Sequence, residues 1–240
     1  MLLFDYTAST PAENLALDEA LLETAELDTA EDEVLRLWEP TSPFVVLGRS
    51  SPAAREVNWE FCNQNNVPVV RRASGGQTVV AGPGCLMYAV ILDLNRRPEL
   101  QMVDRAHSFV LGKIAEAVRS LGIACEVNGI SDLTSDGKKF GGNSLRCRRR
   151  NLVYHGTILY DLSIEFIANC LKKPVREPEY RQNRPHRNFL APISVQAVDL
   201  KEAIASAWNV NGILRDWPRE LMEDMARTKY GSDEWTHKVP

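Results

Sequence analysis

No run in this chain approaches the roughly 20 consecutive apolar residues that a membrane helix needs. Met1-Leu2-Leu3-Phe4-Asp5 also lacks the charged start and apolar core of a signal peptide. These absences predict a soluble, cytoplasmic protein with no membrane partner. Cysteine is scarce: Cys62, Cys85, Cys125, Cys147 and Cys170 make an odd number without a CxxC pair, which argues against a disulfide framework and against structural zinc. An excess of basic charge is missing too. A net charge of −4 leaves no global field for nucleic acid, so any basic site must be local. No internal repeat or low-complexity linker divides the 240 residues, and a 44% hydrophobic share suits one large domain. A Walker loop and a dinucleotide fingerprint are likewise absent, because β-branched Thr78-Val79-Val80 follows the glycines where a helix should begin.

What is present gathers around 69–84. Val69-Val70 runs into Arg71-Arg72, then the small-residue turn Ala73-Ser74-Gly75-Gly76, then Gln77 and a second β-like run closed by Gly82-Pro83-Gly84. Glycine lets a backbone approach a ligand with no Cβ in the way, and arginine offers a planar fork of donors matched to carboxylate or phosphate. The pattern predicts an anion site built between strands. A tight β-hairpin with solvated arginines is the alternative.

Around this stretch, strands and helices alternate. A strand at 2–6 leads to Thr10-Pro11-Ala12-Glu13, where a capping threonine, a proline at the first helical position and a glutamate three residues after the cap start a helix to about residue 25. Asn14 and Asp18 share one face of it, a spacing that suits a solvated polar stripe. Strands at 33–38 and 44–48 read as an adjacent pair across the prolines of 39–43, followed by a short helix from 58 and a strand at 67–71. The apolar run 86–94 alternates weakly and is expected as a central strand buried on both faces. Asp104 is expected to cap the longest helix, over 105–121, with His107 structural or solvated. Strands at 123–127, 131–134 and 152–160 follow. A helix opened by Asp161 or Ser163 runs to residue 171, and two more occupy 199–208 and 217–230. Between them, 176–192 has no periodicity and reads as a long loop.

A second cationic turn is Asp136-Gly137-Lys138-Lys139-Phe140-Gly141-Gly142. A lysine there can neutralise a carboxylate or phosphate, or charge developing on an acyl oxygen; an exposed hairpin tip is the alternative. Two Gly-rich cationic turns in a net acidic chain favour a site. Arg146, Arg148, Arg149 and Arg150 form a basic patch, read either as a surface for an acidic partner or as a solvated strand edge.

In their order, these motifs resemble those of the lipoate-protein ligase and octanoyltransferase family. The likeness is carried by Arg71-Arg72-Ala73-Ser74-Gly75-Gly76, by Ser131-Asp132-Leu133 with Lys138-Lys139-Phe140-Gly141-Gly142-Asn143-Ser144, and by His155-Gly156-Thr157-Ile158-Leu159. Asn14-Leu15-Ala16-Leu17-Asp18-Glu19, Leu37-Trp38-Glu39-Pro40, Val46-Leu47-Gly48-Arg49 and Tyr230-Gly231-Ser232 are similar to flanking motifs, so the resemblance covers essentially the whole chain.

It implies an α+β fold of the biotin/lipoate ligase (class II synthetase-like) type, with a mixed, largely antiparallel sheet flanked by helices. It further implies a single catalytic domain over 1–240 without a C-terminal accessory domain, which leaves a separate accessory subunit as a candidate partner. The implied activity attaches a lipoyl or octanoyl group through an acyl-adenylate to a lysine of a lipoyl acceptor domain. Such domains belong to 2-oxoacid dehydrogenases and glycine cleavage proteins. ATP and Mg²⁺ would be co-substrates, with no intrinsic metal.

By matching position, Lys139 is the catalytic lysine. Arg71, Arg72, Ser74, Gly75, Gly76, Gln77, Gly141, Asn143, His155 and Gly156 bind substrate. Asp132 binds nucleotide and Mg²⁺, in a motif where Ser131 replaces the family's asparagine.

Gln77 and Ala81 stand where ligases of this kind carry a glycine and a histidine, and Gly-Gly-Gln with Gly82-Pro83-Gly84 looks like the octanoyltransferase branch. That branch takes the acyl group from acyl carrier protein through a cysteine thioester. Cys147 and Cys170 are the only cysteines after the Lys139 motif, and Cys170 is expected as a helix residue. Two alternatives therefore stand beside the ligase: octanoyl transfer from a carrier protein, and a non-catalytic member that binds an acyl ligand or acceptor protein. A biotin ligase is disfavoured, because the Ser74-Gly75-Gly76 and Lys139 motifs fit the lipoate branch.

Overall fold

The computed structural model describes residues 1–27 and 32–239. Its strands are β1 (Leu2–Asp5), β2 (Val34–Trp38), β3 (Phe44–Leu47), β4 (Val69–Arg71), β5 (Val79–Ala81), β6 (Cys85–Asp93), β7 (Glu126–Asn128), β8 (Asp132–Ser135), β9 (Lys138–Cys147), β10 (Asn151–Leu159) and β11 (Gly212–Ile213). The helices are α1 (Pro11–Glu26), α2 (Ala53–Glu56), α3 (Trp59–Gln64), α4 (Val103–Ser120), α5 (Ile164–Cys170), α6 (His186–Phe189), α7 (Ala197–Ala207), α8 (Arg219–Met225) and α9 (Asp233–His237).

Eight strands form one sheet in the order β11-β1-β2-β6-β10-β9-β8-β7. β1 runs parallel to β2 and β11, and every other neighbouring pair is antiparallel, so the sheet is mixed and largely antiparallel as expected. β6 is central and explains its own weak alternation. Cys85, Met87, Ala89 and Ile91 join the core under α1, while Leu86, Tyr88, Val90 and Leu92 join the core under α4 and α7. A strand packed on both faces has no polar side to show.

Local signals set several boundaries. Thr10 and Glu13 close a reciprocal capping box at the start of α1, with Pro11 in the first turn. α4 begins earlier than expected: Met102 is its N-cap and Asp104 lies in the first turn, where a carboxylate complements the helix dipole. The strand expected at 123–127 is the short β7, and the helix expected from 217 is α8, followed by a π turn at Ala226–Tyr230. Among the described residues, no helix is long and apolar enough to cross a membrane.

One expectation is overturned in a way that creates the site. β2 and β3 are not adjacent. After Pro40 and Pro43 the chain leaves the large sheet, Trp38 stacks on Phe44 at the corner, and β3 founds a second sheet of order β4-β3-β5. β3 pairs parallel with β4 and antiparallel with β5. β4 and β5 therefore lie on opposite sides of β3, which rules out the hairpin and forces the segment 72–78 to cross the end of that strand.

Candidate active site

The crossing is tight. Arg72 N donates to the Leu47 carbonyl at 2.9 Å and Arg49 N to the Ser74 carbonyl at 2.8 Å. A Cβ on Gly48 would stand 1.8 Å from the Gly76 carbonyl oxygen, so only glycine fits beneath the crossing, and Gly76 itself takes φ +84°. Arg72 folds back into the loop: its Nε donates to Ser74 Oγ and the Gly75 carbonyl at 3.1 Å, and its Nη2 to the Gly75 and Gln77 carbonyls at 2.5 and 2.9 Å. The guanidinium thus shapes the 72–78 loop from within while lining a cavity.

Arg71 does something else, which corrects the expectation that it binds substrate. It is fully buried, away from the cavity wall, and bonds the Thr236 carbonyl through Nε and Nη2 (2.9 and 2.7 Å) and the Gly48 and Ser51 carbonyls through Nη1 (2.7 and 2.8 Å). All of these bonds go to backbone carbonyls, and the Thr236 carbonyl takes two of them. Arg71→Gln should therefore lower unfolding stability by on the order of 3 kcal/mol or more, read by urea denaturation. Unchanged stability with lost ligand affinity would return Arg71 to the ligand.

Lys139 lies on β9 with its Nζ 2.7 Å from Asp132 Oδ1 on β8, and the Tyr180 hydroxyl donates to Asp132 Oδ2 at 2.7 Å. Burial first, then the Asp132 charge, pushes the Tyr180 hydroxyl well above its ordinary pKa, which keeps it a donor. A Cβ on Gly142 would come within 2.9 Å of Lys139 Nζ, so that glycine clears the ammonium's place. Lys138 is exposed and off the wall. Asn143 is held on both ends, donating to the Ser131 carbonyl at 2.8 Å and accepting from the Tyr88 hydroxyl at 2.5 Å. A Cβ on Gly156 would meet Asn143 Oδ1 at 1.8 Å.

The supposed polar stripe of α1 is buried, a second correction. Asp18 Oδ1 takes Arg36 Nη1 at 2.6 Å, Arg36 Nη2 reaches Asn14 Oδ1 at 2.6 Å, and Asp18 Oδ2 faces His155 Nδ1 at 3.2 Å. Burial alone would raise the Asp18 carboxyl, but the Arg36 charge and the His155 bond outweigh it and hold it below its ordinary value. His155 Nε2 stands 2.5 Å from Ser74 Oγ. A carboxylate can only accept, so His155 carries its proton on Nδ1 and Nε2 accepts from the Ser74 hydroxyl. The basic patch is answered from the same helix: Glu19 bonds Arg146, Lys229 and Tyr230, Glu23 bonds Arg148, and Glu26 takes the backbone N–H of Arg149, Arg150 and Asn151.

These elements enclose a cavity of about 1100 Å³. Lys139, Asp132, Arg72, Gly75, Gly76, Gln77, Gly141, Asn143, His155 and Gly156 all line it; Ser74 lies just behind His155 and Arg71 is apart. Its apolar wall, Leu15, Trp38, Val46, Val80, Met87, Leu159, Ile167 and Leu171, is continuous with the core under α1. The aperiodic segment supplies the lip through 174–181. Sequence reading missed Tyr180 and Glu56, whose buried carboxylate takes Thr78 N and Oγ1. None of the five cysteines is on the wall. Cys170 is fully buried beside Cys62, and burial pushes its thiol up to about 12.

The cavity is apolar on one wall and carries a lysine ammonium and Gly-rich loops on another, the lining of a small-molecule site with one apolar and one cationic side. The chain belongs to the lipoyl protein ligase A/B catalytic domain family, whose profile matches residues 10–207. Relatives of both kinds are found. The chain is 27% identical over 186 residues to the lipoate-protein ligase LplJ of Bacillus subtilis, covering 77% of this chain and about half (53%) of that protein. It is 24% identical over 265 residues to the octanoyltransferase LipM of Brevibacillus brevis, covering 95% of each. The fold is shared with the bi-partite lipoate protein ligase of Thermoplasma acidophilum, a structure described with its E2 lipoyl domain (TM-score 0.82, 18% identity, 100% of this chain and 96% of that one). It is shared equally with a lipoate-protein ligase A bound with ATP (TM-score 0.81, 18% identity, 100% and 99%).

Proposed function

We propose that this enzyme attaches a lipoyl or octanoyl group to a lysine of a lipoyl acceptor domain through an acyl-adenylate made from ATP. The observation that carries the reading is the Lys139 ammonium, held by Asp132 on the wall of a cavity that also has an apolar side and no cysteine. The acyl chain lies along the apolar wall, its carboxyl and the phosphate against Lys139 and the 75–77 loop. Lys139 then stabilises the charge that collects on the acyl and phosphate oxygens. One fold relative is bound with ATP and another is described with its E2 lipoyl domain, which supports the same two co-substrates here. Mg²⁺ would arrive on the nucleotide's phosphates, with Asp132 as the carboxylate on the cavity wall to take it. The acceptors would be lipoyl domains of 2-oxoacid dehydrogenases or the glycine cleavage protein.

A second reading, octanoyl transfer from a carrier protein, is favoured by one observation: the match to LipM runs over 95% of both chains. Against it stands the chemistry of the thiols. A nucleophilic cysteine needs a stabilised thiolate, and burial with the neighbouring Cys62 moves Cys170 the other way. Cys170→Ser should keep acyl transfer near the wild-type rate. The deciding assay gives the protein apo lipoyl domain with either octanoate and Mg-ATP or octanoyl-carrier protein, and weighs the acceptor. A mass gain only from the carrier, with an acyl adduct on a cysteine, would replace the adenylate reading; no gain under either would favour a non-catalytic binder.

A further inference from the structure

The transfer step brings a whole protein domain to the cavity, because a lysine side chain is short and the domain that carries it must rest on the rim. That rim differs in charge from side to side. The 174–181 lip carries both signs, with Arg176, Glu177, Glu179 and Arg181. Past the 75–76 crossing, cations prevail. Ser50 lines the cavity and Arg49, just before it, is exposed; Ser144 lines the cavity, and Arg146 lies two residues on, along the same face of β9. Gly75, exposed on the crossing, has open space where a Cβ would stand.

These cations form one group with residues 229–238. Arg146 bonds Glu19, Glu19 bonds Lys229, and the Lys229 and Lys238 ammoniums stand 4.4 and 3.4 Å from the centre of the same Trp235 ring. Partial burial first, then the repulsion of Arg49, Arg71, Lys229 and Arg146, lowers the Lys238 ammonium to about 8. Arg71 is spent on backbone carbonyls, and Arg146 and Lys229 on Glu19. Arg49 and Lys238, by contrast, have no carboxylate within ion-pair distance among the described residues. The acidic residues of α9, Asp233 and Glu234, lie in its first turn, and Lys238 is at its C-cap. Like charges held together without counter-charge destabilise the protein that carries them.

We propose that Arg49, Arg146, Lys229 and Lys238 form the docking surface for the acceptor domain and take a patch of carboxylates beside its acceptor lysine; this rests on the acceptor named in the reading above. Arg49 and Lys238 supply the unpaired charge, while Arg146 and Lys229, tied to Glu19, fix the edge of the surface. Charge pairing of this kind governs encounter and register more than final affinity, so it brings the domain down with its lysine beside the crossing and the cavity behind it. The group spreads from the end of β3 to β9 and the C-cap of α9, a breadth that fits a protein surface rather than a single phosphate.

The test measures docking and transfer separately. Apo lipoyl domain is titrated against the protein by fluorescence anisotropy over a range of sodium chloride concentrations, and transfer from preformed octanoyl-AMP to the same domain is followed beside it. Wild-type affinity should fall steeply with salt. R49E/K238E should raise Kd and KM for the domain about 10-fold or more and flatten the salt dependence, with the loss in KM rather than kcat. A domain whose carboxylates nearest the acceptor lysine are replaced by lysine should bind R49E/K238E better than it binds the wild type, a reversal that a folding defect cannot produce. Salt-independent wild-type binding, an unchanged Kd in R49E/K238E, or a KM for ATP in octanoyl-AMP synthesis that rises as much as the Kd would overturn the docking surface and leave the ligase reading in place. Docking that behaves as expected, with no transfer from octanoyl-AMP, would overturn the ligase reading and keep the surface.

Discussion

Replacing Lys139 with alanine is expected to cut acyl transfer by 10²–10³-fold or more while leaving the fold in place. The rate loss follows from removing the cation aimed at the oxygens on which charge develops, an effect worth about 2.7–4 kcal/mol for comparable donors. The stability loss should be small. The Lys139–Asp132 pair is partly open, with side chains 22% and 14% exposed, and Tyr180 remains to satisfy Asp132, so about 1 kcal/mol or less is expected. Lys138→Ala is the control, because that side chain points to solvent. Transfer assays beside thermal melts of both variants check this, and an inactive Lys138→Ala with a normal Lys139→Ala would show that the motif is misplaced.

The largest stability effect should come from Arg36. Its guanidinium is wholly buried and bonds Asp18, Asn14 and the Asn14 carbonyl, so Arg36→Met strands a buried carboxylate and should cost about 3–5 kcal/mol. The pH dependence carries the same signature. In the native protein Asp18 titrates below its ordinary value of 3.8, so its contribution is fully present above that pH and is lost as pH falls through the lower folded value. Without Arg36, burial is opposed only by His155 and the carboxyl rises, so protonation relieves the stranded charge. Urea unfolding should show the deficit of Arg36→Met shrinking as pH falls, because the wild type loses the Asp18 contribution there and the variant has none to lose. An Arg36→Met, Asp18→Leu double variant should regain much of the deficit, because no charge is then stranded. Additive losses in the double variant would deny that the two residues act as a pair.

Much of this was legible in the sequence where the signal is local. The capping box at Thr10 and Glu13 and the double-sided central strand depend on residues close together in the chain: the box is where it was expected and the strand, expected at 86–94, runs over 85–93, whereas the expected Lys139 turn gives way at once to the strand Lys138–Cys147. What escaped depends on partners far away. Asn14 and Asp18 look like a wet stripe until Arg36 is seen to reach them. A better clue was present: one arginine in the apolar strand Val34-Leu35-Arg36-Leu37-Trp38 has to meet a buried acceptor. Arg71 looked like a ligand because its twin does line the cavity, yet its destination is set by a carbonyl 165 residues away. Tyr180 sits in a segment with no period to read. Pro40 and Pro43 suit a short connection between paired strands and a change of sheet equally well, so they do not by themselves separate β2 from β3.

That long reach of Arg71 also orders events in time. The crossing loop is tied to residues 235–239 three times over: Arg71 bonds the carbonyls of Thr236 and Val239, and the Trp235 indole donates to the Arg71 carbonyl at 2.7 Å. Contacts so distant along the chain are among the last to form, since closing the intervening loop comes first. The 72–78 crossing therefore gains its final anchorage late, after the three strands β3, β4 and β5 that frame it have been able to pair.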